Sequence, residues 1–337
     1  MSILWLVCIP ITIIVVSFPL IYLRLFVVNI RRMQQRFQVA DGTLYSKRFP
    51  LILRAFLTGN NCALRLGGGI DHLRSGLDDK FEDFYRGFAY EGTGMGFGAK
   101  ASLLPSAGKR FENSFRKLDP NYLYQYYVGL GWFLQIRFGF RFRGYRKWLQ
   151  QLDPRYAPIV FDGVGFKIGL FSYSENKQIT RKFNHFPWHF QRVCYQGMGR
   201  AIWFICGFDL DKAIAEIQYL PYAFRGDAYS GLGLAVAYSM FDNLSFALRS
   251  EDQVPSCYRT AFRQGQAFGW EARQLQNPVY WQAQLDKYMP SVAIRARQYV
   301  FFVHQARDQL DCSEAVSSDH YYLRWMDDTR SLLDRLT

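Results

Sequence analysis

Two glycine columns, two residues apart and repeated every 34 residues, constrain this chain more than any other feature. They read Tyr127-Val128-Gly129-Leu130-Gly131, Phe161-Asp162-Gly163-Val164-Gly165, Tyr195-Gln196-Gly197-Met198-Gly199 and Tyr229-Ser230-Gly231-Leu232-Gly233, without a gap. An earlier copy, Tyr90-Glu91-Gly92-Thr93-Gly94, stands 37 residues before the first of these, and a decayed one, Arg263-Gln264-Gly265-Gln266-Ala267, follows the last by 34. Other columns keep step. Tyr85, Tyr122, Tyr156, Phe190, Phe224 and Tyr258 lie seven residues before the first glycine of each unit, and Pro120, Pro154, Pro187, Pro221, Pro255 and Pro290 punctuate the joins.

A fixed period of this length marks a repeat architecture, and 34 residues is the length of a tetratricopeptide-like helix–turn–helix. Proline is tolerated where a helix opens. The expected fold is therefore all-α: a right-handed α-solenoid of about six helix–turn–helix repeats. A glycine inside a helix costs about 1 kcal/mol against alanine. Two per helix imply helices that cross with their backbones in contact, the aromatic columns filling the space between units.

Residues Ser2–Leu23 carry no charge, a length that crosses a bilayer core as a helix. Arg24, Arg31, Arg32 and Arg36 follow, which predicts a body on the cytoplasmic side of the inner membrane. The segment Leu25–Phe37 is expected to continue along the membrane surface. The map is then an anchor and basic helix over 1–37, a linker or N-terminal cap over 38–82 with Gly67-Gly68-Gly69 as a joint, repeats over 83–290, and a helical cap over 291–337. A formal charge of +13 favours a membrane surface or an acidic protein as neighbour, and nothing resembles a nucleic-acid reading motif. The six cysteines are scattered, with neither zinc nor disulfide spacing. His185 and His189 have the spacing of a helical metal pair, but Pro187 lies between them, so no metal and no cofactor is expected.

Chemistry concentrates in the position before the first glycine, occupied by Glu91, Val128, Asp162, Gln196, Ser230 and Gln264. Stacking brings these into one row, which either lines a groove or bonds to the turn of the adjacent unit. Glu91 and Asp162 are the candidate acid–base pair. Arg86, Arg225 and Arg259 share another column, fit either to hold an anion or to pair between repeats. With the ring column at Tyr90 and Tyr229, they and Gln196 are the candidate binding residues.

Several segments, Arg86-Gly87-Phe88-Ala89-Tyr90-Glu91-Gly92, Asp162-Gly163-Val164-Gly165-Phe166, Gly197-Met198-Gly199-Arg200-Ala201-Ile202-Trp203, Asp227-Ala228-Tyr229-Ser230-Gly231-Leu232-Gly233-Leu234-Ala235 and Gln264-Gly265-Gln266-Ala267-Phe268, resemble a bacterial family of unknown biochemical function, the UnbL-type proteins, encoded with enediyne polyketide biosynthesis genes. The resemblance implies an accessory part in making a natural product. Where that family tends to carry His-Glu after the Asp162–Phe166 segment, this chain has Lys167-Ile168. Two functions fit these readings. One is a membrane-tethered scaffold docking a partner enzyme or acidic carrier protein. The other is an enzyme or binding protein for an apolar, polyene-like small molecule held between rings, with Glu91 and Asp162 as its acid–base groups.

Overall fold

The computed structural model describes residues 18–37, 43–65, 67, 69–312 and 320–335, and every regular element among them is helical. The glycine-bearing helices lie side by side in chain order: α1 (Leu44–Ala63), α2 (Asp83–Ala101), α3 (Leu123–Phe138), α4 (Ile159–Ile168), α5 (Trp188–Ile205), α6 (Arg225–Ser239) and α7 (Ser256–Gln276). Shorter helical elements such as Ala107–Leu118, Phe142–Leu149 and Leu210–Ile217 connect them. Proline opens several as expected, preceding α5 at Pro187 and α7 at Pro255.

The glycines make the row. A Cβ on Gly129 would lie 1.9 Å from the carbonyl oxygen of Glu91, and one on Gly197 1.9 Å from that of Asp162. In each unit the first glycine faces the carbonyl that precedes the first glycine of the unit before. The second glycine faces forward: Gly131 meets Val160 O and Gly165 meets Cys194 O in the same way. Neighbouring backbones thus touch with no side chain between them, where Cα–H···O contacts add to dispersion.

The ring columns pair across the same boundaries. Tyr90 stacks on Tyr122 at 3.8 Å, Phe161 on Phe190 at 4.2 Å, Tyr195 on Phe224 at 4.4 Å and Tyr229 on Tyr258 at 4.7 Å, each within 16° of parallel. The pair at the remaining boundary, Tyr127 with Tyr156, is looser, 6.4 Å apart and tilted by 47°. Where the rings stack, this ladder runs alongside the glycine contacts and holds the rotation of one helix on the next.

The row is one helix longer at its start than the sequence indicates. The expected cap over 38–82 contains α1, which packs on α2 as the later helices pack on each other: Gly59 meets Ala89 O, and Gly92 meets Phe56 O. Leu57 stands where the first glycine would, so the column is hidden. The row also curls until its beginning meets its end. Arg273 Nη1 on α7 donates to Phe84 O on α2 (2.9 Å), Asn277 just after α7 donates to Asp83 at the start of α2 (3.1 Å), and Arg48 Nη1 on α1 donates to Ser239 O on α6 (2.8 Å). Two further helices, α8 (Pro290–Asp311) and α9 (Tyr321–Asp334), pack on α7 where the cap was expected.

Most of the anchor expected over Ser2–Leu23 lies outside the described residues, as does part of the glycine joint at 67–69. Among the described residues no helix is long and apolar enough to cross a membrane. The surface helix expected over Leu25–Phe37 is instead broken, with residues 18–24 helical and a second helix at Ile30–Arg36. The reason is a backbone clamp: Asn60 donates to Phe26 O (2.9 Å), while Asn61 donates to Val28 O (2.8 Å) and accepts from Val28 N (3.0 Å).

If backbone contact sets the row, Gly197→Ala destabilises by about 3 kcal/mol or more through overpacking. Gly226→Ala, whose Cβ meets nothing within 4 Å, stabilises by about 0.5–1 kcal/mol through helix propensity and chain entropy. Urea melts of the two variants check this; equal effects would remove the glycine contact as the organising feature.

Candidate functional site

The carbonyl before each first glycine is pinned against the next helix, so the side chain at that position points the same way in every unit, toward the interior of the curled row. Glu91, Asp162, Gln196, Ser230 and Gln264 are all buried there. The column pairs along its length. Gln196 donates to Ser230 (3.1 Å) and accepts from Tyr322 (2.9 Å), and Gln264 accepts from Arg330 (3.2 Å).

At the column's head sits a buried triad. Arg200, four residues after Gln196 on α5, donates through Nη1 to Asp162 Oδ1 and through Nη2 to Glu91 Oε2 (3.4 Å). Its guanidinium lies over the Phe166 ring, 4.4 Å from the centroid. Exposure is 2% for Glu91, 2% for Asp162 and 6% for Arg200. One cation therefore serves two carboxylates in a low-dielectric site. Burial pushes the Glu91 carboxyl up to about 7; Arg200 opposes the rise and the nearby Asp162 carboxylate adds to it. Burial raises Asp162 as well, against the pull of Arg200.

The triad opens on a small cavity of about 50 Å³, room for a few waters at about 10–15 Å³ each. Its walls are Tyr124, Gln125, Tyr238, Phe268, Glu271, Tyr322 and Trp325, with apolar fill from Val128, Ile159 and Leu234. Tyr322 and Trp325 come from α9, which closes one side. Glu271 accepts from Tyr124 (3.1 Å) and lies 3.5 Å from Arg307 and 3.6 Å from His304. Three acceptors, Glu91 Oε1, Asp162 Oδ2 and Gln125 Oε1, are buried without a hydrogen-bond partner among the described residues. Buried polar atoms are ordinarily paired with protein or water, so these three ask for an occupant. No cluster placed to hold a metal occurs among the described residues.

Glu91 and Asp162, 71 residues apart in sequence, are thus brought to one cation; Gln196 adjoins them through Tyr322. Arg86, Arg225 and Arg259 lie elsewhere. Arg86 and Arg225 each donate through Nε to the carbonyl five residues back, Phe81 and Leu220, Arg259 donates to Asp252 O, and Gln191 performs the same task on Phe186 O. This column ties each helix to its own join. Tyr90 and Tyr229 belong to the ring ladder, their hydroxyls engaged by Asp78 and Gln218. Ile168 is buried core, and burial lowers the Lys167 ammonium to about 8 away from the cavity wall. Sequence reasoning missed Arg200, Glu271, Tyr124, Tyr322 and Trp325. The one available signal was a charge, Arg200, directly after Gly199 in an apolar glycine helix.

Because the folded state holds a proton on Glu91 more tightly than the unfolded chain does, its contribution to stability is complete below about pH 4.5 and is lost as pH rises toward 7. Denaturant melts across pH 5–8 are expected to show a decline that flattens above 7, with a shallower slope in Glu91→Gln. Arg200→Met, which strands two buried carboxylates, is expected to cost about 3–5 kcal/mol at pH 8 and less at pH 5, where both can take up protons; a pH-independent loss would contradict the triad.

No curated protein and no solved structure matches the chain. A profile of one family does match, over residues 23–308, which takes in α1 to α7 and most of α8 but stops short of α9. The chain belongs to that family, DUF1702, whose members are described as proteins of unknown function.

Proposed function

We propose that this protein binds a small organic molecule in the cavity at the head of the polar column and moves a proton at it, with Glu91 as the proton-transfer group and Asp162 and Arg200 setting its charge. One observation carries the reading: a carboxyl raised to about 7, with an unpartnered oxygen, in a cavity walled by aromatic rings. General acid–base groups work best when their pKa lies near the operating pH, and strongly shifted groups cluster at functional sites. A cavity of about 50 Å³ takes a head group rather than a whole polyene chain, so the pocket grips one end of its ligand.

In this reading the units form a right-handed α-solenoid rolled on itself. The uncharged stretch Ser2–Leu23 anchors it in the cytoplasmic membrane with the body inside, and the protein serves as an accessory in making an enediyne-like natural product. The glycine contacts support the first statement, the arginines after Leu23 the second, and the resemblance to UnbL-type proteins the third. Docking of a partner enzyme or acidic carrier protein is a second reading. It is favoured by Trp188, Tyr219, Tyr222 and Met289, large side chains left exposed near the proline joins.

Native mass spectrometry of the full-length chain released from detergent is expected to show a discrete small-molecule mass that Glu91→Gln loses while keeping its helical circular dichroism. An adduct indifferent to Glu91→Gln would move the function elsewhere, and capture of a carrier protein abolished by Trp188→Ala with Tyr222→Ala would favour docking. For the orientation, the exposed Cys257 and Cys312 should react in intact cells only with a membrane-permeant maleimide; labelling by an impermeant one reverses the topology.

A further inference from the structure

We propose that the group gripped by this cavity is a protonated amine, a small alkylammonium seated against Glu91, Asp162 and Gln125 and enclosed by the rings of Tyr124, Tyr238 and Trp325. The inference rests on the reading of the cavity as a ligand site and goes on to name the ligand's chemistry.

Three features point the same way. First, the buried unpartnered atoms of the cavity wall are all acceptors: Glu91 Oε1, Asp162 Oδ2 and Gln125 Oε1. An occupant must bring hydrogen-bond donors, which an alkylammonium does with up to three N–H groups. Second, the charges do not balance. Among the groups that face the cavity, Glu271 has Arg307 beside it, so Glu91 and Asp162 share Arg200, and with both ionised one negative charge is left over. The buried Arg273 lies behind the Tyr238 ring, its guanidinium engaged by the Phe84 and Tyr238 carbonyls. An anionic ligand would meet no free cation, because both Arg200 nitrogens that face the carboxylates are engaged. Third, ring faces stabilise a cation that has left water, more so when it is fully enclosed, and the cavity is small enough to enclose only a head group.

A neutral alcohol would also satisfy acceptors, but it would leave Glu91 protonated near neutrality. An ammonium requires Glu91 ionised and so displaces its proton. The titratable and charged groups facing Glu91 are Asp162 from α4, Arg200 from α5, Tyr238 from α6, Glu271 from α7, Tyr124 from α3 and Tyr322 from α9. Burial holds the tyrosines Tyr124 and Tyr322 far above neutral pH. Of the two carboxyls, Asp162 has the closer contact with Arg200 and Glu91 the looser one, so Glu91 is the group that gives up the proton.

The test is calorimetric titration of the full-length chain with propylammonium chloride, propan-1-ol and sodium propionate at matched ionic strength from pH 5.5 to 8.5. Propylammonium is expected to bind at least about tenfold more tightly than the alcohol above pH 7. Its affinity should fall about tenfold per pH unit below 7, with close to one proton released according to buffer ionisation heats. Glu91→Gln should erase the preference over the alcohol. Gln125→Leu, which keeps the charges, should weaken propylammonium severalfold, and it stands in should Glu91→Gln fail to fold. Equal binding of the alcohol, or tighter binding of propionate, overturns the ammonium while leaving a ligand pocket in place. Binding of none of the three, in a protein whose melting temperature none of them shifts, overturns the ammonium and the pocket together.

Discussion

The contact on which everything else depends is a bare backbone meeting a bare backbone. Where Gly129, Gly163, Gly197, Gly231 and Gly265 face the carbonyl of the preceding helix, there is room for a hydrogen and nothing more. Helices packed through side chains lie about 8–10 Å apart and can slide or rotate by a rotamer change. Backbone contact removes that freedom. Each helix is held at one height and one rotation on its neighbour, and the stacked rings of the adjoining ladder hold the same register from the side.

A register this rigid turns a sequence column into a spatial line. Because the carbonyl of Glu91, Asp162 or Gln196 is pinned, its side chain has one direction to take, and that direction is inward. Desolvation then follows from geometry rather than from local sequence: two carboxylates are carried into a low-dielectric interior, where a single guanidinium meets both. A buried charge network of this kind is weak evidence for stability, since well-packed apolar residues would do as well. It is also not alone in the interior, where Glu251 meets Arg263, Arg295 and Tyr299; what sets it apart is the cavity on which Glu91 and Asp162 open.

Much of this was legible in the chain itself. The 34-residue period located the helices of the row from α2 to α7 and put their polar residues in one column, because both follow from which residues are small and which are polar; it left open which way that column faces. What escaped depended on contacts between distant units. Leu57 masks the glycine column in α1, so a helix of the row reads as a cap. Arg200 lies four residues beyond the polar column, and it becomes a partner of Glu91 only once the row has curled through three intervening helix boundaries. Glu271, Tyr322 and Trp325 arrive from α7 and α9 by the same closure. The period fixes how each helix meets the next, and nothing in it tells how tightly the row turns. Spacing alone left the arginines at 86, 225 and 259 open to an anion or to pairing between repeats; the carbonyls they bind, and the carboxylates of Asp78 and Asp83 beside Arg86, lie at the joins, where periodicity carries no information about backbone direction.

Repeat arrays ordinarily gain or lose a unit at little cost, because each touches only the ones beside it. Arg273 reaching back to Phe84, and Arg200 reaching to Glu91 across 109 residues, remove that option here. Deleting one unit would bring a different helix opposite α2 and leave Glu91 without its guanidinium; adding one would do the same. The number of units is therefore tied to the pairing of side chains at the centre. Substitution at the joins leaves this closure untouched, whereas a change in the count of units, or the loss of Tyr322 and Trp325 from α9, would alter the centre itself.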